Sequence, residues 1–135
     1  MDLTPMLVVK DVAASSEWYR QLLELEGAHG GDEFEMLMSE KGELLLMLHH
    51  PEPDEHPGLE TPGQAPAGAG VLLYVSVSNL NDVLARAQDM GVEVLSEPEY
   101  NPKAHAVEFT ARDPDGYLLA VSERRGPDAD DSGAA

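Results

Sequence analysis

Two rhythms of apolar and polar residues alternate along this chain, and their order is written twice. Leu3 to Val9 is apolar on both sides, which predicts a strand covered on both faces. Asp11 to Ser16 supplies capping side chains, and Glu17 to Glu26 continues as a helix. Trp18, Leu22 and Leu25 form its expected buried stripe, and Gly27 its stop. His29-Gly-Gly reads as an irregular piece or an edge strand. Glu33 to Met38 alternates charged and apolar residues, predicting a strand with one wet face. A polar turn, Ser39-Glu-Lys-Gly42, then leads into an apolar strand over Leu44 to Leu48.

The second pass repeats the order. Val71 to Val77 predicts a strand and Asn79 a helix cap. Val83, Leu84, Ala87 and Met90 give an amphipathic stripe, and Gly91 stops it. Val92 to Leu95 reads as a short strand, Pro98 to Pro102 as a turn-rich bridge, and Ala106 to Ala111 as another strand. Asp113-Pro-Asp-Gly116 is a turn with a mechanism: Pro114 fixes φ, Gly116 tolerates positive φ, and the aspartates accept nearby backbone N–H groups. Tyr117 to Val121 follows as a buried strand. Setting Asp11 against Asn79 and Gly27 against Gly91 aligns the halves, with the first helix about one turn longer. The expected class is α+β, a βαβββ module in tandem. A single domain is expected over 1–124: module 1 over about 1–50, a linker over 51–69 rich in proline and glycine, and module 2 over about 70–124. The small, polar tail over 125–135 is expected to be disordered.

Composition narrows the function classes. With 26 acidic and 8 basic residues the formal charge is −18, a field that repels nucleic acid and anionic lipid. Neither is expected as a partner; a cationic ligand suits that field better. Cysteine is absent, which excludes disulfides, thiolate nucleophiles and cysteine metal sites. No apolar run has the length of a membrane span, and Met1-Asp-Leu-Thr-Pro carries no signal-peptide pattern, so a cytoplasmic setting is expected.

Three stretches in order carry a family resemblance: Val8-Val-Lys-Asp-Val12 leading into Glu17-Trp-Tyr-Arg-Gln-Leu-Leu, Tyr74-Val-Ser-Val-Ser-Asn-Leu leading into Ala87-Gln-Asp-Met-Gly91, and Asp113-Pro-Asp-Gly-Tyr117. Together they resemble the vicinal oxygen chelate superfamily, which includes glyoxalases, bleomycin-resistance proteins and extradiol dioxygenases. The resemblance implies mixed sheets curled into a cleft, with helices on the convex side. It also implies, in metal-dependent members, a divalent ion held by His and Glu from four strands. At those positions this chain has Thr4, Leu46 or Met47, Leu72 and Ala120, none of them a good ligand for such an ion. The chain therefore resembles the metal-free, bleomycin-resistance-like branch, with no metal and no cofactor expected.

Strand alternation sketches the cleft that remains. Thr4, Met6 and Val8, Leu72, Tyr74 and Ser76, and Leu118, Ala120 and Ser122 would face inward, with Met47 beside them. The binding residues expected are Thr4, Met6, Met47, Leu72, Tyr74, Ser76, Ala120 and Ser122. Leu7, Val9, Leu73, Val75, Leu119 and Val121 would lie under the helices. For Ala106 to Arg112 the pattern leaves both faces open. The leading reading is a protein that binds or sequesters a small organic molecule, as a homodimer by resemblance.

Two alternatives stand beside it. One is a metal-dependent lyase, isomerase or dioxygenase using substitute ligands from His49, His50, His105, Glu108 and Glu123; the other is a non-catalytic dimerisation module. Against the first, His49 and His50 are adjacent and would point to opposite faces without a bulge, which makes them solvated rim residues. Glu123 would face away from Ala120, as an ion-pair or solvated residue. No phosphate loop, serine elbow or catalytic triad occurs, so the residues leave open whether the chain is an enzyme.

Overall fold

In the computed structural model the described residues are 1–51, 68 and 71–125. The linker beyond Pro51, apart from Gly68, and the tail beyond Arg125 lie outside them. The chain divides into two compact units, Met1–Ala67 and Gly68–Ala135. Each holds one helix and one four-stranded mixed sheet.

In the first unit the elements are β1 (Met6–Val8), α1 (Val12–Leu23), β2 (Glu26–Gly27), β3 (Phe34–Met38) and β4 (Leu44–His49). The sheet order is β1-β4-β3-β2, with β1 parallel to β4 and the other pairs antiparallel. In the second unit β5 (Leu72–Ser76), α2 (Leu80–Met90), β6 (Glu93–Asn101), β7 (Ala106–Arg112) and β8 (Leu118–Arg124) repeat that arrangement in the order β5-β8-β7-β6. The tandem βαβββ order is as expected, but β2 lies at Glu26–Gly27, where the helix end was expected, rather than at His29-Gly-Gly.

Local chemistry fixes the helix ends. Asp11 accepts from Ala14 N at 2.9 Å and starts α1; Asn79 accepts from Asp82 N at 3.4 Å and starts α2. Gly91, at φ 71°, closes α2 by donating to the Ala87 and Gln88 carbonyls. The first helix departs from expectation. It ends at Leu23 with Glu24 in the left-handed conformation, φ 56°, so the two helices have 12 and 11 residues rather than differing by a turn. Gly27 is required elsewhere: it sits in β2, where a Cβ would lie 2.8 Å from the Glu35 carboxylate. The buried stripe of α1 is also rotated from the expected one. Val12, Ser15, Ser16, Tyr19 and Leu22 are buried, while Trp18 is half-exposed and meets Tyr19 edge-on.

The two tight turns are copies. Asp113 Oδ1 accepts from Asp115 N and Tyr117 N, both at 2.8 Å, and Gly116 N donates to Asp113 O at 3.1 Å. Ser39 Oγ accepts from Lys41 N at 3.3 Å and Glu43 N at 3.1 Å, and Gly42 N donates to Ser39 O at 2.9 Å. Gly42 at φ 85° and Gly116 at φ 103° supply the positive φ.

Three strands differ from the sequence reading. Leu3 is almost fully exposed, and β1 begins only at Met6. The expected bridge over Pro98–Pro102 is largely strand, because β6 runs on to Asn101. Pro98 is accommodated because β6 is the sheet edge and its register shifts between Ser96 and Glu99. The third is β3, whose supposed wet face is buried: Glu35 and Leu37 lie on the helix side, 5% and 0% exposed. That side of the first sheet holds Leu7, Leu37, Leu46 and Leu48 against α1. In the second unit Val107, Phe109, Ala111, Leu119 and Val121 form the corresponding core, while Leu73 and Val75, expected there too, are only half-buried.

Candidate functional site

With one side of each sheet committed to its helix, candidate chemistry lies on the open side, and the two open sides carry different residues. In the first unit, register places Met6, Met47 and Met36 in one row across β1, β4 and β3, and Val8, His49 and Phe34 in the next. The three methionines are half-buried, as expected for a face without a helix. Leu46, one of the two residues expected at the family's ligand position, is buried on the helix side, and Met47, the other, is on the open side.

Beyond the His49 row lies a cavity of about 740 Å³, lined by Met6, His29, Gly30, Gly31, Asp32, Glu33, Phe34, His49 and His50. Its walls are a ladder of rings. His29 meets Phe34 edge-on at 5.2 Å, Phe34 meets His49 at 5.9 Å, and His49 stacks on His50 at 5.1 Å with 16° between planes. Neither His49 nor His50 is the solvated rim residue expected. β4 ends at His49, which is 4% exposed, so His50 is no longer bound by strand alternation and both rings line one cavity. The His49 Nδ1 is 2.6 Å from His50 O, and the His29 Nδ1 is 2.6 Å from Gly30 O. A carbonyl only accepts, so these contacts favour the proton on Nδ1 in both rings.

Glu35 builds the wall that carries His29. Its carboxylate accepts from Ala28 N at 3.2 Å, His29 N at 2.8 Å, Gly30 N at 2.9 Å and Met36 N at 2.8 Å. Burial works to raise its pKa, but the four backbone N–H bonds outweigh burial and hold it below the usual carboxylate value. A buried acid thereby adds to the bond that Ala28 N makes with Met36 O at 3.0 Å and shapes the glycine-rich loop. The sequence reading missed it because alternation placed Glu35 in water. The signal available was Gly27, the neighbour whose missing Cβ makes room.

The second unit's open side is polar. Glu108, Thr110 and Arg112 pair in register with Ser122, Ala120 and Leu118, which are in turn opposite Ser76, Tyr74 and Leu72. This settles which side of β7 is open. Tyr74, 51% exposed, donates its phenol to Glu108, and Asn101 Nδ2 donates to the same carboxylate at 3.3 Å. The Glu108 hydrogen bond raises the Tyr74 pKa, since it favours the protonated phenol. Ala120 and Ser122 share this side but are buried, Ser122 donating to Val75 O at 3.3 Å. Beside Glu108 a cavity of about 290 Å³ is lined by Ser96, Glu99, Tyr100, Asn101, Pro102, Glu108 and Thr110.

The expected binding residues thus fall in two sets. Met6 and Met47 share the sulfur row and Thr4 precedes it; Leu72, Tyr74, Ser76, Ala120 and Ser122 share the polar side. Glu123 points the other way, accepting from Leu80 N at the start of α2 and pairing with Arg125 at 3.0 Å. His105 lies near Tyr100 at 3.4 Å, in the turn between β6 and β7. Among the described residues no three His, Asp or Glu side chains gather as a metal site. The hydroxyl, aliphatic and thioether groups of Thr4, Met47, Leu72 and Ala120 do not fit the hard divalent ion that the resemblance implies.

Comparison with known proteins adds the following. The family model described as Glyoxalase/Bleomycin resistance protein/Dioxygenase superfamily matches residues 3–121. A solution NMR structure of an Agrobacterium tumefaciens protein is 24% identical, covers 93% of this chain and 100% of its own, and has a TM-score of 0.70. A glyoxalase/bleomycin resistance protein/dioxygenase family enzyme from Burkholderia phytofirmans is 17% identical over 89% of this chain and 95% of its own, at a TM-score of 0.69. Lactoylglutathione lyase from Agrobacterium tumefaciens is 16% identical over 91% and 92%, at 0.66. These likenesses carry the fold. Among curated proteins no significant match was found, and among the described residues no helix is long and apolar enough to cross a membrane.

Proposed function

The chain belongs to the Glyoxalase/Bleomycin resistance protein/Dioxygenase superfamily, and we propose that within it this protein binds a small, planar, cationic organic molecule without transforming it. The observation that carries this reading is the ring ladder lining the 740 Å³ cavity. Stacked imidazoles and a phenyl ring offer flat apolar surface to a planar ligand. Asp32 and Glu33 line the same cavity and, with the chain's charge of −18, favour a cation. The neighbouring methionine row gives a soft, adaptable floor, the property that lets a thioether surface accept varied shapes. The residues at the family's metal positions supply no hard-ion ligands, which supports binding over metal-assisted chemistry. Thr4, Met6 and Met47 remain proposed binding residues of the first unit, and Leu72, Tyr74, Ser76, Ala120 and Ser122 of the second. A cytoplasmic homodimer is the proposed working form.

A thermal-shift screen with planar aromatic cations tests the reading. A true ligand at ~100 times its Kd adds ~2.7 kcal/mol to stability. Phe34→Ala, which removes the middle of the ladder, should weaken such a ligand by at least about tenfold. No shift across the panel, or a shift that Phe34→Ala leaves intact, overturns it.

A further inference from the structure

In the first sheet the buried leucines lie on the helix side and the strand methionines on the other, although Leu44 and Leu45 at the start of β4 are exposed. On β1, β3 and β4 the helix side is Leu7, Leu37, Leu46 and Leu48, all at most 7% exposed. The open side of the same strands has Met6, Met36 and Met47, all half-buried. Apolarity alone would accept leucine at both sets, since the two side chains have similar volume and exchange at low cost. The open side also carries Met38, Leu45, Val8 and Phe34; what distinguishes the row across β1, β4 and β3 is that all three of its members are thioethers. The three thioethers also share one row: Met47 is the register partner of Met6 on one side and of Met36 on the other. Directly paired residues on one face of a sheet have Cβ atoms about 4.5–5.5 Å apart. Two flexible thioether arms therefore flank a third, close enough to converge above the central strand.

From this we propose that Met6, Met36 and Met47 form a three-thioether site for a soft monovalent cation, Cu(I). Thioethers are poor ligands for Mg, Mn or Zn and good ones for Cu(I), so donor chemistry selects the ion. Met6 also lines the cavity that holds His29, His49 and His50, which gives the ion a route from solvent. The surrounding negative charge raises local cation concentration. Met6 borders the organic-ligand cavity as well, so the two readings share an edge; Phe34→Ala removes the middle of the ring ladder and leaves the three thioethers, which separates them.

The test is an anaerobic titration of the full chain with Cu(I) held by bicinchoninate. One equivalent should pass to the protein. In ¹³C-methyl methionine spectra the resonances of Met6, Met36 and Met47 should shift, and those of Met1 and Met90 should not. Met47→Leu, a near-isosteric change, should weaken the site at least about tenfold with an unchanged circular dichroism spectrum. Met6→Leu should do the same, and serves should the first variant fail to fold. Met90→Leu, on α2, should bind as the parent does. Failure to draw Cu(I) from bicinchoninate overturns the proposal. So does a Met47→Leu variant that binds like the parent, or uptake of Zn(II) as strong as that of Cu(I).

Discussion

The two modules share a backbone plan and differ in what they present on it. Both run the first and last strands of the module in parallel beside each other, cap their helices with Asp11 or Asn79, and end on the same three-hydrogen-bond turn. On the open side the first offers thioethers, imidazoles and Phe34, and the second a phenol, hydroxyls and the Glu108 carboxylate. Backbone hydrogen bonds and helix-facing side chains must satisfy the same physics twice, so they stay alike. The open side answers to no helix and is the place where a duplicated module can diverge.

The largest expected effect tests what is peculiar to the first module. Glu35→Ala removes the carboxylate acceptor of four backbone N–H groups, of which Ala28 N keeps its bond to Met36 O, and should cost about 3 kcal/mol, read by urea denaturation. It should also alter the acid limb of the stability profile. Because the folded carboxyl sits below its ordinary value, its contribution is present above the unfolded pKa and is lost as pH falls through the folded one. The parent should therefore lose more stability than the variant across that window.

A matched pair comes next. Asp113→Ala and Ser39→Ala remove the same two hydrogen bonds from equivalent turns. Asp113 is 4% exposed and its acceptor is charged, so its loss should cost about 2–3 kcal/mol; the half-buried, uncharged Ser39 should cost about 0.5–1 kcal/mol. Equal losses would mean that charge and burial do not separate the two turns. The smallest effect belongs to the second module's open side. Tyr74→Phe should leave thermal stability nearly unchanged at neutral pH, since Tyr74 is half-exposed. The raised phenol pKa favours the neutral form, so its contribution is present below the unfolded pKa and fades as pH rises through the folded one. Glu108→Gln should bring the Tyr74 titration, followed by ¹³C NMR, back toward that of a free phenol.

The fold was legible because turns and caps are local. Ser39, Gly42, Asp113, Gly116, Asn79 and Gly91 act on residues within four positions, and a single sequence displays them. What escaped depends on partners distant in sequence or on where a strand stops. Alternation put Glu35 in water because it cannot see the 28–30 loop folding over the carboxylate. The rule separating His49 from His50 holds only inside a strand, and β4 ends between them. Pro98 marks a break in an isolated stretch but is harmless on a bulged edge. The binding residues named from strand alternation fall on the open sides of two different sheets, and the ring-lined cavity came from His29, Phe34 and His50, which alternation did not reach.

Two of the four edge strands, β2 and β6, also bear on behaviour at high concentration. A long, flat edge strand is a template on which another chain can add by cross-strand hydrogen bonding, the first step toward fibres. Here β2 is two residues long, while β6 carries Pro98 and two register shifts. Neither offers an uninterrupted row of donors and acceptors. Thioflavin-positive assembly should therefore not start at these two margins, and any association should start at β5, the other edge of its sheet, where Leu72 and Tyr74 are exposed.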